Sequence, residues 1–220
     1  TLSLHDALPI SGSNVSNALS LSTGNDKSQS YISVATTNAT GIMPNNDYDR
    51  YNFSFRNTTN FLNNKFILDT SANYIIQNDK NMVSQGQYFN PLTSLYLFPR
   101  GEDFSDVAVY ERYDDLSGVN TQYWPYGDLG GVSSQNPYWI MNRMNRENDR
   151  RRYKLAASLQ YNIIEGLNVQ GRVSIDNTES KYTEKFHAGT VGNFAGPKGR
   201  YKEENRLDRQ VYADVLANFN

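Results

Sequence analysis

Cysteine is absent from this 220-residue chain. That excludes a disulfide scaffold, a thiolate metal site and a cysteine nucleophile. Basic charge is not in excess either. The 21 Lys and Arg face 23 Asp and Glu, a formal net charge of −2, which argues against a nucleic-acid partner. Long hydrophobic runs are missing. The longest fully apolar stretch is about four residues, whereas a membrane helix needs roughly 20. Hydrophobic residues make up 38% of the chain, and mean hydropathy is −0.68. These deficits exclude a membrane helix but not a membrane barrel. Barrel strands alternate apolar and polar side chains and pass unseen through a hydropathy window.

What the chain does have is tyrosine, phenylalanine and asparagine. There are 16 Tyr and 10 Phe, and about 27 Asn, above ordinary globular usage. Residues 1–10, TLSLHDALPI, do not share this polar, Asn-rich style. In one frame they translate a short-read sequencing adapter, and they are set aside as a sequence artefact. Histidine then reduces to His187, because His5 lies within that stretch.

Period-2 alternation recurs along the remainder, residues 11–220. Tyr153, Leu155, Ala157, Leu159, Tyr161 and Ile163 alternate with Lys154, Ser158, Gln160 and Asn162. After a turn at Glu165-Gly166, the apolar set Leu167, Val169, Val173 and Ile175 alternates with Asn168, Gln170, Arg172 and Ser174. The first half repeats the theme. Phe66, Leu68, Ala72, Tyr74 and Ile76 share a face, and before them Tyr51, Phe53 and Phe55 do the same. Leu19 and Leu21 suit a first strand, Ile32 and Val34 its return, and a seventh strand starts near Arg206. The expectation is seven strands of about 9–15 residues, longer than the 5–6 usual in soluble sheets.

Connections alternate short and long. Turns near 24–27, 60–64 and 165–166 are short, while 38–48, 78–150 and 183–204 are long. Tight turns on one side and large loops on the other fit an antiparallel up-and-down transmembrane β-barrel, with the long loops extracellular. In the longest loop, Asn90-Pro91 reads as a helix cap followed by proline at the first helical position, with Leu92 to Phe98 forming about two turns. Tyr and Phe at the ends of the apolar faces fit interfacial girdles. Seven strands fall short of the eight-stranded minimum for a closed bacterial barrel, so the chain reads as part of a larger one.

No catalytic constellation stands out, and the chain is not expected to be an enzyme. His187 reads as a solvated loop residue, with no metal partners and no cofactor implied. Gly192, Gly196 and Gly199 around Pro197-Lys198 lack phosphate-loop spacing. Asn45, Asn46, Asp47 and Asp49 read as an Asx-rich turn rather than a calcium site. Arg143, Arg146, Arg150, Arg151 and Arg152 read as a strand continued above the membrane. The candidate substrate-binding residues are the loop aromatics Tyr123, Trp124, Tyr126, Tyr138 and Trp139. Flat rings beside Asn, Asp and Gln suit sugar stacking or peptide contact; the blander account, that they pack the loop against itself or a lid, has more weight, because a large loop needs its own core to be ordered.

Several short stretches, in order, carry a resemblance. They are Leu19-Ser20-Leu21-Ser22-Thr23-Gly24 followed by Lys27 and Tyr31, then Gly41-Ile42, Asp47-Tyr48 and Arg50-Tyr51-Asn52. Asn90-Pro91-Leu92, Leu97-Phe98-Pro99-Arg100-Gly101, Asn136-Pro137-Tyr138-Trp139 and the run from Leu167 to Arg172 complete the set. Over residues 14–220 the chain resembles the SusC/RagA-like TonB-linked outer-membrane proteins of the Bacteroidetes. The resemblance implies a partial barrel domain from a barrel of about 22 strands with a plugged lumen, located in the cell outer membrane. It covers roughly a quarter of such a protein. It further implies active import of large nutrients, glycan or oligopeptide, with outer-membrane lipid around it and a SusD-like lipoprotein lid above. TonB would act through an N-terminal part outside this chain. The competing readings are a passive channel or other outer-membrane barrel, and a soluble extracellular β-sheet binding protein.

Overall fold

The computed structural model describes residues 11–84, 86, 88–126 and 135–219. The stretch read as an artefact, 1–10, lies outside them. Seven long strands form one antiparallel sheet: β1 Ser13–Gly24, β2 Ser28–Thr40, β3 Asp47–Phe61, β4 Phe66–Lys80, β7 Met144–Ile164, β8 Leu167–Phe186 and β9 Arg200–Phe219. Their order is β1-β2-β3-β4-β7-β8-β9, so every strand pairs with its nearest long neighbour in sequence. A small hairpin, β5 Glu111–Asp114 and β6 Val119–Gln122, forms a second sheet within the β4–β7 connection.

The seven strands are those the alternation predicts, but longer. β7, β8 and β9 run for 21, 20 and 20 residues. Arg146, Arg150, Arg151 and Arg152 of the Arg-rich run belong to β7, where Arg152 pairs with Asp176 across the sheet, and Arg143 ends the helix before it. This lengthening shrinks the connections. The one expected over 38–48 is confined to 41–46, and the longest runs over 81–143. At the opposite end the turns are tight. Leu62, Asn63 and Asn64 all adopt left-handed backbone between β3 and β4, a conformation asparagine tolerates better than most residues. Asn25 Oδ1 accepts from the backbone N–H of Lys27 and Ser28, each at 2.9 Å.

Because side chains alternate, the register aligns whole rows across the sheet. One row is Leu21, Ile32, Phe55, Ala72, Leu155, Ile175 and Val211. Nearer the tight turns, Phe61, Phe66 and Tyr161 stack in sequence, with ring centroids 5.8 and 4.6 Å apart. Nearer the long loops, Phe53, Tyr74 and Tyr153 form a second aromatic row. Among the described residues nothing covers the apolar face between them: Leu19 is 77% exposed and Leu155 47%. From Tyr153 through Ile163 the strand rises about 33 Å, or about 25 Å when tilted by about 40°, the height of an outer-membrane apolar band. Beyond Tyr153 the same face turns polar, with Arg151, Asp149 and Glu147 in succession.

The buried core lies elsewhere, at the long-loop end. Trp139, Ile140, Met144, Phe186 and Ala195 form it, with Phe89, Tyr110 and Phe194 packed against them. Met144 and Phe186 are register partners at the ends of β7 and β8. Counting by twos from Lys154 and Asp176, both belong to the polar face. The folded connection therefore packs over the polar side of the sheet, not the apolar side.

Candidate functional site

Two helices anchor the connection. In α1 Pro91–Tyr96, the capping Asn90 accepts from the Leu92 N–H at 3.0 Å. The helix is slightly shorter than the run read from sequence. In α2 Pro137–Arg143, Asn136 plays the same part, accepting from Tyr138 N–H at 2.9 Å. The same Asn-Pro signal marks both helices, at Asn90-Pro91 and at Asn136-Pro137. Asn136 is also a hub. Its Nδ2 donates to the Val107 carbonyl at 2.9 Å and the Tyr123 carbonyl at 3.1 Å. Its own N–H donates to Gln122 Oε1 at 2.9 Å. One buried side chain thus joins α2, the β5–β6 hairpin and the 3₁₀ turn Phe104–Ala108.

The hairpin in turn grips the 187–199 connection. Gln122 N–H donates to the Gly189 carbonyl at 3.1 Å. Gly189 has φ +86°, and a Cβ there would lie 2.3 Å from the Asn120 carbonyl oxygen. Only glycine permits that approach. Arg143 crosses from α2 to β5, donating through Nε and Nη2 to both oxygens of Glu111 at 2.8 and 2.9 Å. That bidentate bond holds the Glu111 carboxyl below its usual range, against a smaller opposing effect of burial.

The five candidate aromatics occupy four different settings. Trp139 is 1% exposed, and its indole N–H donates to Thr190 Oγ1 at 3.1 Å. Tyr138 is half-buried, stacks on Tyr110 at 6.4 Å, and burial raises its phenol pKa. Tyr123 lies under the Arg112 guanidinium, 3.3 Å from ring centroid to Cζ. Trp124 and Tyr126 meet edge to face at 5.0 Å, and Tyr126 meets Phe98 at 4.8 Å. Phe98 continues to Phe104 at 5.3 Å. Trp124, Tyr126, Phe98 and Phe104 therefore form one half-buried aromatic ledge. Phe98 and Phe104 were absent from the sequence-based set, since nothing local marks them as partners of a segment some 25 residues away.

Beneath this folded connection, the polar face of the sheet carries six ion pairs. They are Arg56–Asp69, Arg152–Asp176, Arg172–Asp214, Arg200–Glu184, Lys202–Glu204 and Arg206–Asp208. Arg146 lies at the junction. Its guanidinium donates to Ser84 Oγ at 2.6 Å and lies 5.6 Å from the Phe89 ring centroid. Register places it opposite Glu184.

No family model matches the chain, and no curated protein matches it. Solved structures do. The RagAB peptide importer in its closed-closed state aligns with TM-score 0.60 at 15% identity, over 96% of this chain and 22% of that one. Its open-open state gives the same values. A further structure of the RagAB peptide transporter aligns with TM-score 0.60 at 14% identity, again over 96% and 22%. The fold is that of a barrel segment. The chain spans 22% of the length of the solved chains it matches, close to the quarter implied by the sequence resemblance. At this identity the likeness carries the fold and leaves the chemistry to the residues themselves.

Proposed function

We propose that this chain forms part of the wall and outer mouth of an outer-membrane active importer of large nutrients, glycan or oligopeptide. The carrying observation is the uncovered apolar face bearing two aromatic rows, whose run from Tyr153 through Ile163 matches the height of an outer-membrane apolar band. A soluble sandwich would cover that face with a second sheet. In an outer membrane, lipid covers it, and the polar face with its ion pairs lines the lumen. The tight turns then face the periplasm, and the folded connection stands outside the cell over the lumen mouth. The likeness of fold to the RagAB peptide importer supports transport over an adhesive or enzymatic barrel.

In this reading import is driven by TonB through a part of the protein outside this chain. A SusD-like lipoprotein closes the mouth from above and rests on the 81–143 connection. That connection offers a short hairpin whose tip residue, Leu116, is 99% exposed. The aromatic ledge and the rings of Tyr123, Tyr138 and Trp139 then form or support the surface that meets the nutrient.

The test replaces the hairpin from Glu111 to Gln122 with a short Gly-Ser linker in the whole importer. Insertion in the outer membrane should persist, because no long strand is touched. Nutrient uptake and co-purification with the lipoprotein should both fall. Full uptake and full lipoprotein retention would refute the assigned role of this connection.

A further inference from the structure

Not every cation on the polar face is in an ion pair. Among the described residues, Arg50, Arg146, Arg150 and Lys154 are in no ion pair: Arg50 donates through Nε to Asn52 Oδ1 at 3.0 Å, Arg146 is taken up by Ser84 at the loop junction, and Lys154 stands opposite Asp176, which Arg152 holds. One carboxylate of this face is likewise outside the ion pairs. It is Asp79, held by the amides of Asn148 at 2.9 Å and Gln77 at 3.5 Å. Positive charge is therefore in excess. It is also concentrated, because Arg150, Arg152 and Lys154 are successive polar-face positions of β7. Arg50, Gln77 and Arg150 share one row across β3, β4 and β7. Neighbouring strands lie about 4.8 Å apart, so the two arginine backbones are about 10 Å apart with an uncharged amide between. Arg150 and Lys154 are both exposed.

Such a stripe faces water at low cost and attracts anions along the wall. Its spacing points to the kind of anion. Four residues of strand separate Arg150 from Lys154, about 13 Å at 3.3 Å per residue. An extended peptide repeats its own side chains at the same interval, so a peptide running along β7 can present a carboxylate to each cation. Guanidinium groups suit carboxylates by their paired N–H geometry.

We propose that Arg50, Arg150 and Lys154 form a carboxylate-reading stripe on the lumen wall that selects extended acidic oligopeptides. The proposal rests on the import reading above. The stripe acts below the mouth, on substrate that has already passed the aromatic ledge. Its attraction weakens with salt, since charges more than about 8 Å apart are screened at physiological ionic strength.

The experiment compares uptake of two labelled peptides of equal length by cells carrying the whole importer. One has Glu at every fourth position and the other has Gln there. The wild type should prefer the Glu peptide by about tenfold at low salt, the scale of one charge-assisted contact. In R50Q/R150Q/K154Q that preference should fall to near parity, with Gln-peptide uptake unchanged. A second variant keeps all three cations but neutralises them in place. Gln77→Glu puts a carboxylate between the two arginines, and Asn73→Asp puts one opposite Lys154. It should lose the preference in the same way, which separates charge reading from damage to the strand. Gln-peptide uptake without an acidic preference in the wild type would overturn the stripe and leave import standing. Preferred uptake of a uronate oligosaccharide over both peptides would overturn the choice of occupant. No uptake of any probe would overturn the import reading and the stripe with it.

Discussion

Arg143 on α2 grips both carboxylate oxygens of Glu111 on β5, at 2.8 and 2.9 Å, across 32 residues of chain. This is the one ion pair joining the two halves of the 81–143 connection among the described residues. The pair is partly solvated, with side-chain exposures of 30% and 24%. Its worth is therefore modest, about 1 kcal/mol.

The pair makes the connection sensitive to acid. The folded Glu111 carboxyl titrates below its ordinary value because Arg143 hydrogen-bonds the charged form. Its stabilisation is fully present above about pH 4.3, the unfolded value, and is lost as pH falls through the lower folded value. Limited proteolysis of the connection in the whole protein should accelerate below about pH 4. In Glu111→Gln, cleavage should be faster at neutral pH and should change less on acidification. An unchanged acid response in that variant would assign the effect to another group.

The two sheet faces make opposite predictions for a single arginine. Leu159 and Val173 lie on the uncovered apolar face. Leu159→Arg and Val173→Arg should each cost roughly 2–4 kcal/mol near the membrane midplane and reduce insertion. Gln160→Arg and Ser174→Arg, one residue along on the polar face, should insert normally. Outer-membrane yield of all four in the whole protein checks this. Equal tolerance at odd and even positions would remove the assignment of faces.

Residues 11–220 expressed alone should not give a soluble monomer. β1 and β9 are edge strands with unpaired backbone groups, and large apolar side chains from Leu19 to Val215 stand exposed on one face. Both features drive association in water. Size-exclusion chromatography in buffer and in detergent is the check. A monomer that unfolds cooperatively in plain buffer would refute the membrane reading.

The strands were legible in the sequence because their rule is local. Leu155, Ala157 and Leu159 announce a face by themselves, whichever strand pairs with them. Strand ends were less legible. Met144 to Arg152 carries charge on both faces, and what keeps it extended is pairing with β4 and β8, aided by cross-strand partners such as Glu147–Lys185 and Arg152–Asp176. The folded connection was legible at one helix cap and obscure elsewhere. Its organising contacts, Asn136 to Val107 and Trp139 to Thr190, span 29 and 51 residues. No period or motif encodes such pairings. The short β5–β6 hairpin shows the same limit, since four-residue strands carry too little alternation to read.

Trp139 and Trp124 allow the packing and contact roles of the loop aromatics to be separated. The Trp139 indole is enclosed and bonded to Thr190, whose hydroxyl in turn donates to the His187 carbonyl at 2.7 Å. Removing it opens a cavity between the 81–143 and 187–199 connections. Trp139→Ala should cost about 3–5 kcal/mol of local stability. Protease resistance of the connection should fall, and on the proposed import reading nutrient and lipoprotein binding should fall with it. Trp139→Phe should recover part of the resistance, because most of the buried area returns while the Thr190 bond does not. Trp124 sits on the half-buried ledge with Tyr126, where truncation leaves the core intact. Trp124→Ala should keep protease resistance and lipoprotein binding near wild type while weakening nutrient binding several-fold, the scale of one aromatic contact. Calorimetry of nutrient binding beside a proteolysis time course distinguishes the two residues. If Trp124→Ala instead loosens the connection as much as Trp139→Ala does, the ledge belongs to the core and the nutrient is met elsewhere.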